Sequence, residues 1–146
     1  MKNWHIFRKT ALLLMLLAVS SCGNMLWVKN RVKYADNLVK NTEFRSENIK
    51  TDDFYLFSYQ KITNPNNKIL NIYIEGDGLA LRSRNRLSKN PTPINPISLK
   101  MALSDKSQNI LYLARPCQYI SFNNDKNCQN SDFWSRARFS KKIVRS

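Results

Sequence analysis

Residues 11–19 are an unbroken apolar run of nine residues, preceded by Lys2, Arg8 and Lys9 with no acidic residue, and followed by Ser20, Ser21 and Cys22. A helix needs about 20 apolar residues to cross a bilayer, so this run suits the core of a cleavable export signal better than a permanent span. It divides the chain unequally. Removing residues 1–21 leaves 125 residues, enough for one ordinary core and not for two.

Val-Ser-Ser-Cys at 19–22 resembles the lipobox of bacterial lipoproteins, in which a peptidase cuts before a cysteine that already carries a diacylglycerol. The resemblance implies that the Cys22 thiol accepts the lipid, while the small side chains of Ser20 and Ser21 pass into a narrow peptidase cleft. An ordinary secretory signal with a cysteine at its cut site, or a short uncleaved anchor, are the alternatives. Firm anchoring takes more than one acyl chain, because each buried methylene contributes only about 0.8 kcal/mol. Gly23 is unlike the aspartate that commonly retains such proteins in the inner membrane. The expected location is therefore the bacterial cell envelope, lipid-anchored, with the outer membrane favoured over the inner.

The full sequence has 24 basic and 10 acidic side chains, and three of the basic ones lie in the leader, which leaves +11 on the mature chain. Such a charge favours an anionic envelope surface as a partner. Nucleic acid is not expected, since export removes the protein from the cytoplasm and no aromatic residues interleave with the basic cluster. That cluster is Arg82, Arg84, Arg86 and Lys89, which reads first as a solvated loop and second as a contact for phosphate or lipid headgroups.

Along the mature chain, residues 22–52 read as a lipid-anchored tether, with a short helix around 31–39. Residues 53–62 alternate, placing Phe54, Leu56 and Ser58 on one face of a strand and Tyr55, Phe57 and Tyr59 on the other. Asn64-Pro65-Asn66-Asn67 then supplies a turn. Residues 69–74 are apolar except for Asn71, as expected of a strand covered on both faces. After the glycine-bearing loop at 75–78 and three prolines at 91, 93 and 96, Asn95 and Pro96 suit a cap and first residue of a helix running to about Asp105. Residues 109–114 form another strand. Strand, loop, helix and strand in this order predict an α/β fold with a parallel crossover.

With Cys22 acylated, Cys117 and Cys128 are two thiols on the exported side, and a disulfide across the polar loop between them is the leading reading. A reactive pair is disfavoured by the missing C-x-x-C spacing. The single histidine, His5, falls within the signal, so no cofactor or metal is expected and no mature Ser-His-acid or Cys-His arrangement is available from these residues. No serine lies in G-x-S-x-G, because no glycine follows position 78. Glu75 and Asp77, two residues apart, would share one side of a strand extended through them as a carboxylate pair, although a polar strand end is the ordinary explanation.

Tyr-Ile-Glu-Gly-Asp-Gly-Leu-Ala at 73–80, Pro-Thr-Pro-Ile-Asn-Pro at 91–96, Tyr-Leu-Ala-Arg-Pro-Cys-Gln-Tyr at 112–119 and Phe-Trp-Ser-Arg-Ala-Arg-Phe at 133–139 resemble the front half of a family of bacterial α/β-hydrolase-like lipoproteins. Leu81 stands where a tryptophan would be expected after Leu-Ala. The resemblance implies that Glu75, Gly76, Asp77 and Gly78 form a vestigial oxyanion loop, with a backbone donor around Asp77 or Gly78. It also implies that Cys117 and Cys128 are the family's paired cysteines and that residues 140–144 begin the following helix. Residues 53–146 are thus expected to be a partial domain, the truncated front part of an α/β-hydrolase-like sheet with one or two crossover helices. The elbow serine, the acid and the histidine would all come later in such a family than residue 146.

Three functions follow from this. The first is a non-catalytic, truncated remnant of a hydrolase-like envelope lipoprotein. A small structural or binding lipoprotein of the envelope is the second. The third is one half of a split serine hydrolase that needs a complementary hydrolase fragment.

Overall fold

A computed structural model describes residues 23–146; the expected signal and Cys22 lie outside the described residues. The chain opens with helix α1 (Gly23–Val39) and strand β1 (Arg45–Lys50), both inside the stretch expected to be a tether. The correction has a clear physical origin. Val28, Val32, Ala35 and Val39 recur at helical spacing, and Ala35 and Val39 are buried in the core with Val32 and Leu38 packed beside them. The Tyr59 hydroxyl donates to Asp36 Oδ1 at 2.6 Å, fastening α1 to the sheet.

Strand β2 (Tyr55–Ile62) pairs antiparallel with β1 and, on its other side, with β6 (Asn109–Leu113). Strand β3 (Asn71–Ile74) pairs parallel with β6, and helix α2 (Ile97–Ser104) connects the two. The sheet order is β1-β2-β6-β3. Helices and a mixed four-stranded sheet built around a β–α–β unit make this an α/β fold.

The alternation in β2 sorts its side chains between two cores. On one face Tyr59 and Phe57 pack with α1, with Leu99 and Ala102 of α2, and with Ile110 and Tyr112 of β6. On the other, Phe54 and Leu56 pack with Cys117, Cys128, Trp134 and Ile143. This second cluster reaches β1 through Ile49 and β6 through Leu113 but includes no β3 residue.

Strand β3 therefore differs from its expected double coverage. Helix α2 covers its Tyr73 side, while Ile72 and Ile74 are 53% and 63% exposed on a sheet edge. An apolar run alone does not distinguish a strand with two covers from one with a single cover. The helix cap also shifts: Pro96, not Asn95, is the N-cap of α2, and it makes no side-chain capping bond. A small hairpin, β4 (Leu81–Ser83) with β5 (Arg86–Leu87), carries the basic cluster at the surface. Two 3₁₀ turns, at Lys126–Gln129 and Ser131–Trp134, precede the short helix α3 (Lys141–Val144).

Asp105 ends α2 and joins it to β3. Its carboxylate accepts from Asn71 Nδ2 at 2.8 Å, the Tyr73 hydroxyl at 2.9 Å and the Ser107 N–H at 2.7 Å. The Asn71 bond, followed by those from Ser107, holds this carboxyl below its ordinary 3.8. A carboxyl depressed by folding stabilises above its unfolded pKa and loses that contribution as pH falls through the folded one. Asp105→Asn is accordingly expected to lower the urea midpoint at pH 7, with the difference from wild type narrowing as pH is taken below 3.8. A difference that widens on acidification would refute this assignment.

Candidate functional site

The loop at 75–78 leaves the end of β3, and each of its residues meets a different constraint. Glu75 is buried, accepting from the Gly76 N–H at 3.0 Å and from the Tyr112 hydroxyl at 3.1 Å. The Gly76 carbonyl accepts from Gln118 Nε2 at 2.8 Å. Asp77 pairs with Arg115 and, at 3.3 Å, with Arg138. Both guanidinium groups also lie over the Phe139 ring, at 5.3 and 4.9 Å from its centre.

The two carboxylates thus have separate partners and separate surroundings. They do not form the paired acid site that their spacing allowed, because β3 ends at Ile74 and the chain turns before Asp77. Asp77 is held by cations, whereas Glu75 is held by neutral donors. Among the described residues, no group of three His, Cys, Asp or Glu residues is placed to hold a metal ion.

Gly78 adopts φ +60°, a conformation that side-chain-bearing residues rarely take, and lies against the carbonyl of Pro91. Leu79 N–H donates to that same carbonyl at 2.9 Å, so the loop is stitched to the proline-rich segment. The N–H groups of Asp77 and Gly78 have no acceptor among the described residues. Beside Gly78 is a cleft of about 460 Å³ whose lining includes Glu75, Pro93, Ile94, Ile97 and Ser98. Ser98 is the one hydroxyl in that lining, and it donates to the Ile74 carbonyl at 2.9 Å.

No family model, curated protein or solved structure matches this chain. What the loop can do follows from its own groups. Gly78 lines the cleft, whereas Asp77 lies on the other side of the loop with Arg115 and Arg138. A backbone N–H without an acceptor is a donor that an anion or a polarised oxygen can use. Making Ser98 a nucleophile requires a base to take its proton, which is here donated to the Ile74 carbonyl.

Cys117 and Cys128 are joined by a disulfide with Cα atoms 5.3 Å apart, and both are fully buried. The polar stretch between them is organised by Asp125. One of its oxygens accepts from the Tyr55 N–H at 2.9 Å and the other from the Asn127 N–H at 3.0 Å, while Asn127 donates to the Asp53 carbonyl. Cys117 and Tyr119 both have positive φ, at 70° and 61°, and flank Gln118. That turn carries Gln118 to the loop at Gly76 and brings the Tyr119 N–H to Thr92 Oγ1 at 2.8 Å. Burial, foremost, raises the Tyr119 phenol pKa. Its hydroxyl lies near that of Tyr112 without a partner in hydrogen-bonding geometry.

Sequence reasoning singled out residues 75–78 but gave no role to the groups that hold them: Tyr112, Arg115, Gln118 and Arg138. The first three fall in the 112–119 motif, and Arg138 falls in the 133–139 motif. Recurrence of polar residues inside an otherwise apolar motif was the available signal.

Proposed function

We propose that this chain is an envelope lipoprotein, anchored through Cys22, whose hydrolase-like half-sheet has no catalytic activity of its own. The observation that carries the non-catalytic reading is the cleft beside Gly78. Gly78 lines it, but the cleft's one hydroxyl is committed to the Ile74 carbonyl, and no imidazole occurs after residue 5. Oxyanion donors lower a barrier by stabilising the charge that develops as a nucleophile attacks, so they need a nucleophile to act with. The leader, the apolar run and Val-Ser-Ser-Cys support the anchor.

Mass spectrometry of the chain isolated from bacterial membranes is expected to find a diacylated cysteine as its first residue. Cys22→Ala is expected to abolish lipid attachment and to slow or block maturation. Rigorously purified protein is expected to turn over short activated esters no faster than buffer. An unmodified Cys22 would end the lipoprotein reading, and reproducible turnover would end the non-catalytic one.

A second reading, half of a split serine hydrolase, is favoured by the free edge of β3 and the exposed Ile72 and Ile74 beside it. An added strand would pair there and cover those side chains. This reading requires a separately encoded second half with G-x-S-x-G, an acid and a histidine. Ester turnover that appears only when the two halves are expressed together discriminates it from the first. A G-x-S-x-G continuation in the DNA downstream fits both, and its absence favours a small structural or binding lipoprotein.

A further inference from the structure

A groove of about 1030 Å³ runs between α1, the segment leading into and out of the β4–β5 hairpin, and residues 119–123. Its walls have two chemistries. Val28 and Val32 of α1 contribute apolar surface, as do Leu79, Ile120 and Phe122, and Trp27 and Ile94 stand at the rim 67% and 58% exposed. The charged lining consists of Lys29, Arg31, Lys33, Arg82 and Lys89 against one carboxylate, Asp36. Asp36 is engaged by the Tyr59 hydroxyl, and none of the five cations has an ion-pair partner among the described residues.

Arg31 is the fixed point of this arrangement. Its guanidinium donates to the backbone carbonyls of Thr92 and Asn90, which set its position without neutralising its charge. An apolar trough with uncompensated cations, of which Arg31 is partly buried and the other four are exposed, complements a molecule with an acyl chain and an anionic head. A purely apolar guest would leave the charge unmet, and a bare anion would leave the apolar walls wet. Trp27 has the amphipathic ring that favours a membrane–water boundary, which is where such a molecule is found.

We propose that this groove binds one anionic phospholipid, its phosphate met by Arg31, Arg82 and Lys89 and an acyl chain laid along Val28, Val32, Leu79 and Ile120. The inference rests on the membrane placement proposed above, but its test is separate from lipidation and from esterase activity. The full chain, processed in the bacterial envelope and held in a non-ionic detergent, is titrated with dioctanoyl-phosphatidylglycerol, dioctanoyl-phosphatidylcholine and glycerol phosphate. Tryptophan fluorescence is the readout, with Trp27→Phe identifying the responding residue.

Phosphatidylglycerol is expected to bind saturably, with phosphatidylcholine roughly tenfold weaker because it lacks net charge, and glycerol phosphate weaker still. Arg82→Glu with Lys89→Glu, at exposed positions, is expected to weaken phosphatidylglycerol about tenfold and phosphatidylcholine by less, since its choline offsets the phosphate charge. Ile94→Ser should weaken both lipids. Retention of the 117–128 disulfide and of the far-ultraviolet circular dichroism shows that each variant is folded. Equal binding of the two lipids that ignores the charge reversals would overturn the proposal, as would glycerol phosphate binding as tightly as the lipid. Absence of any response, or a protein dimer disrupted by the same substitutions without a lipid effect, would overturn it too. A bare Cys22 together with phosphatidylglycerol binding would remove the anchor reading and leave the groove intact.

Discussion

Replacing Gly78 with alanine is expected to destabilise the protein by roughly 3 to 5 kcal/mol, or to prevent its accumulation. Two effects combine. An L-residue held at φ +60° is strained in any surroundings, and here the added Cβ would lie 2.2 Å from the Pro91 carbonyl oxygen and 2.8 Å from Gln118 Nε2. The carbonyl is backbone, and moving it breaks the Leu79–Pro91 hydrogen bond that closes the loop. Gly76 is the internal control, since a Cβ there would meet nothing within 4 Å and its φ is not in the left-handed region. Gly76→Ala is expected to change stability by no more than about 1 kcal/mol, in the stabilising direction if it acts through the unfolded chain. Denaturant unfolding of the two variants side by side is the measurement. Equal midpoints would mean that the loop is not held as described.

The second large effect is expected from Cys117→Ala with Cys128→Ala, at a cost of roughly 2 to 4 kcal/mol. The bridge spans a sequence separation of 11, and its sulfurs are enclosed with Phe54, Leu56, Trp134 and Ile143. Removing it releases loop-closure entropy in the unfolded state and leaves space in that cluster. The response is expected to be uneven along the loop. Residues 119–124 should gain hydrogen exchange and proteolytic susceptibility, whereas Asp125 and Asn127 keep their bonds to β2 and to the chain just before it, and so should change less. Uniform loss of protection from 118 through 127 would show that the disulfide, rather than Asp125, orders the segment.

Much of the sheet was legible because its signals are local. The alternation from Phe54 to Tyr59 separates two faces, and the structure places those faces in two different cores. The helix at 97–104 and the strand at 109–113 likewise follow from punctuation and apolar runs in sequence. Strand β1 was not legible, because Arg45-Ser46-Glu47-Asn48-Ile49-Lys50 is polar and its strand character comes from pairing with β2. Its residues lie mostly in solvent, so composition gave no cue. Helix α1 was only half seen: its apolar stripe is diluted by Lys29, Arg31, Lys33 and Asn37, and tertiary burial of Ala35 and Val39 decides the matter. At the loop, Gly78 was legible as a candidate, while Arg138, sixty residues away in sequence, becomes its neighbour's partner only through the fold.

Strand β6 has a consequence for the order in which this protein acquires structure. It is the one strand that joins β3 to the rest of the sheet, and it pairs with β2 across roughly fifty residues of chain. A polypeptide threaded through a narrow channel from its amino end delivers β1 and β2 early, and an isolated two-stranded hairpin is marginal in water. Neither core closes before residues 109–113 arrive, since Ile110 and Tyr112 complete one and Leu113 packs against the other. A chain delivered amino end first would complete the first core only on arrival of this central strand, and the second only once the segment through Ile143 had followed.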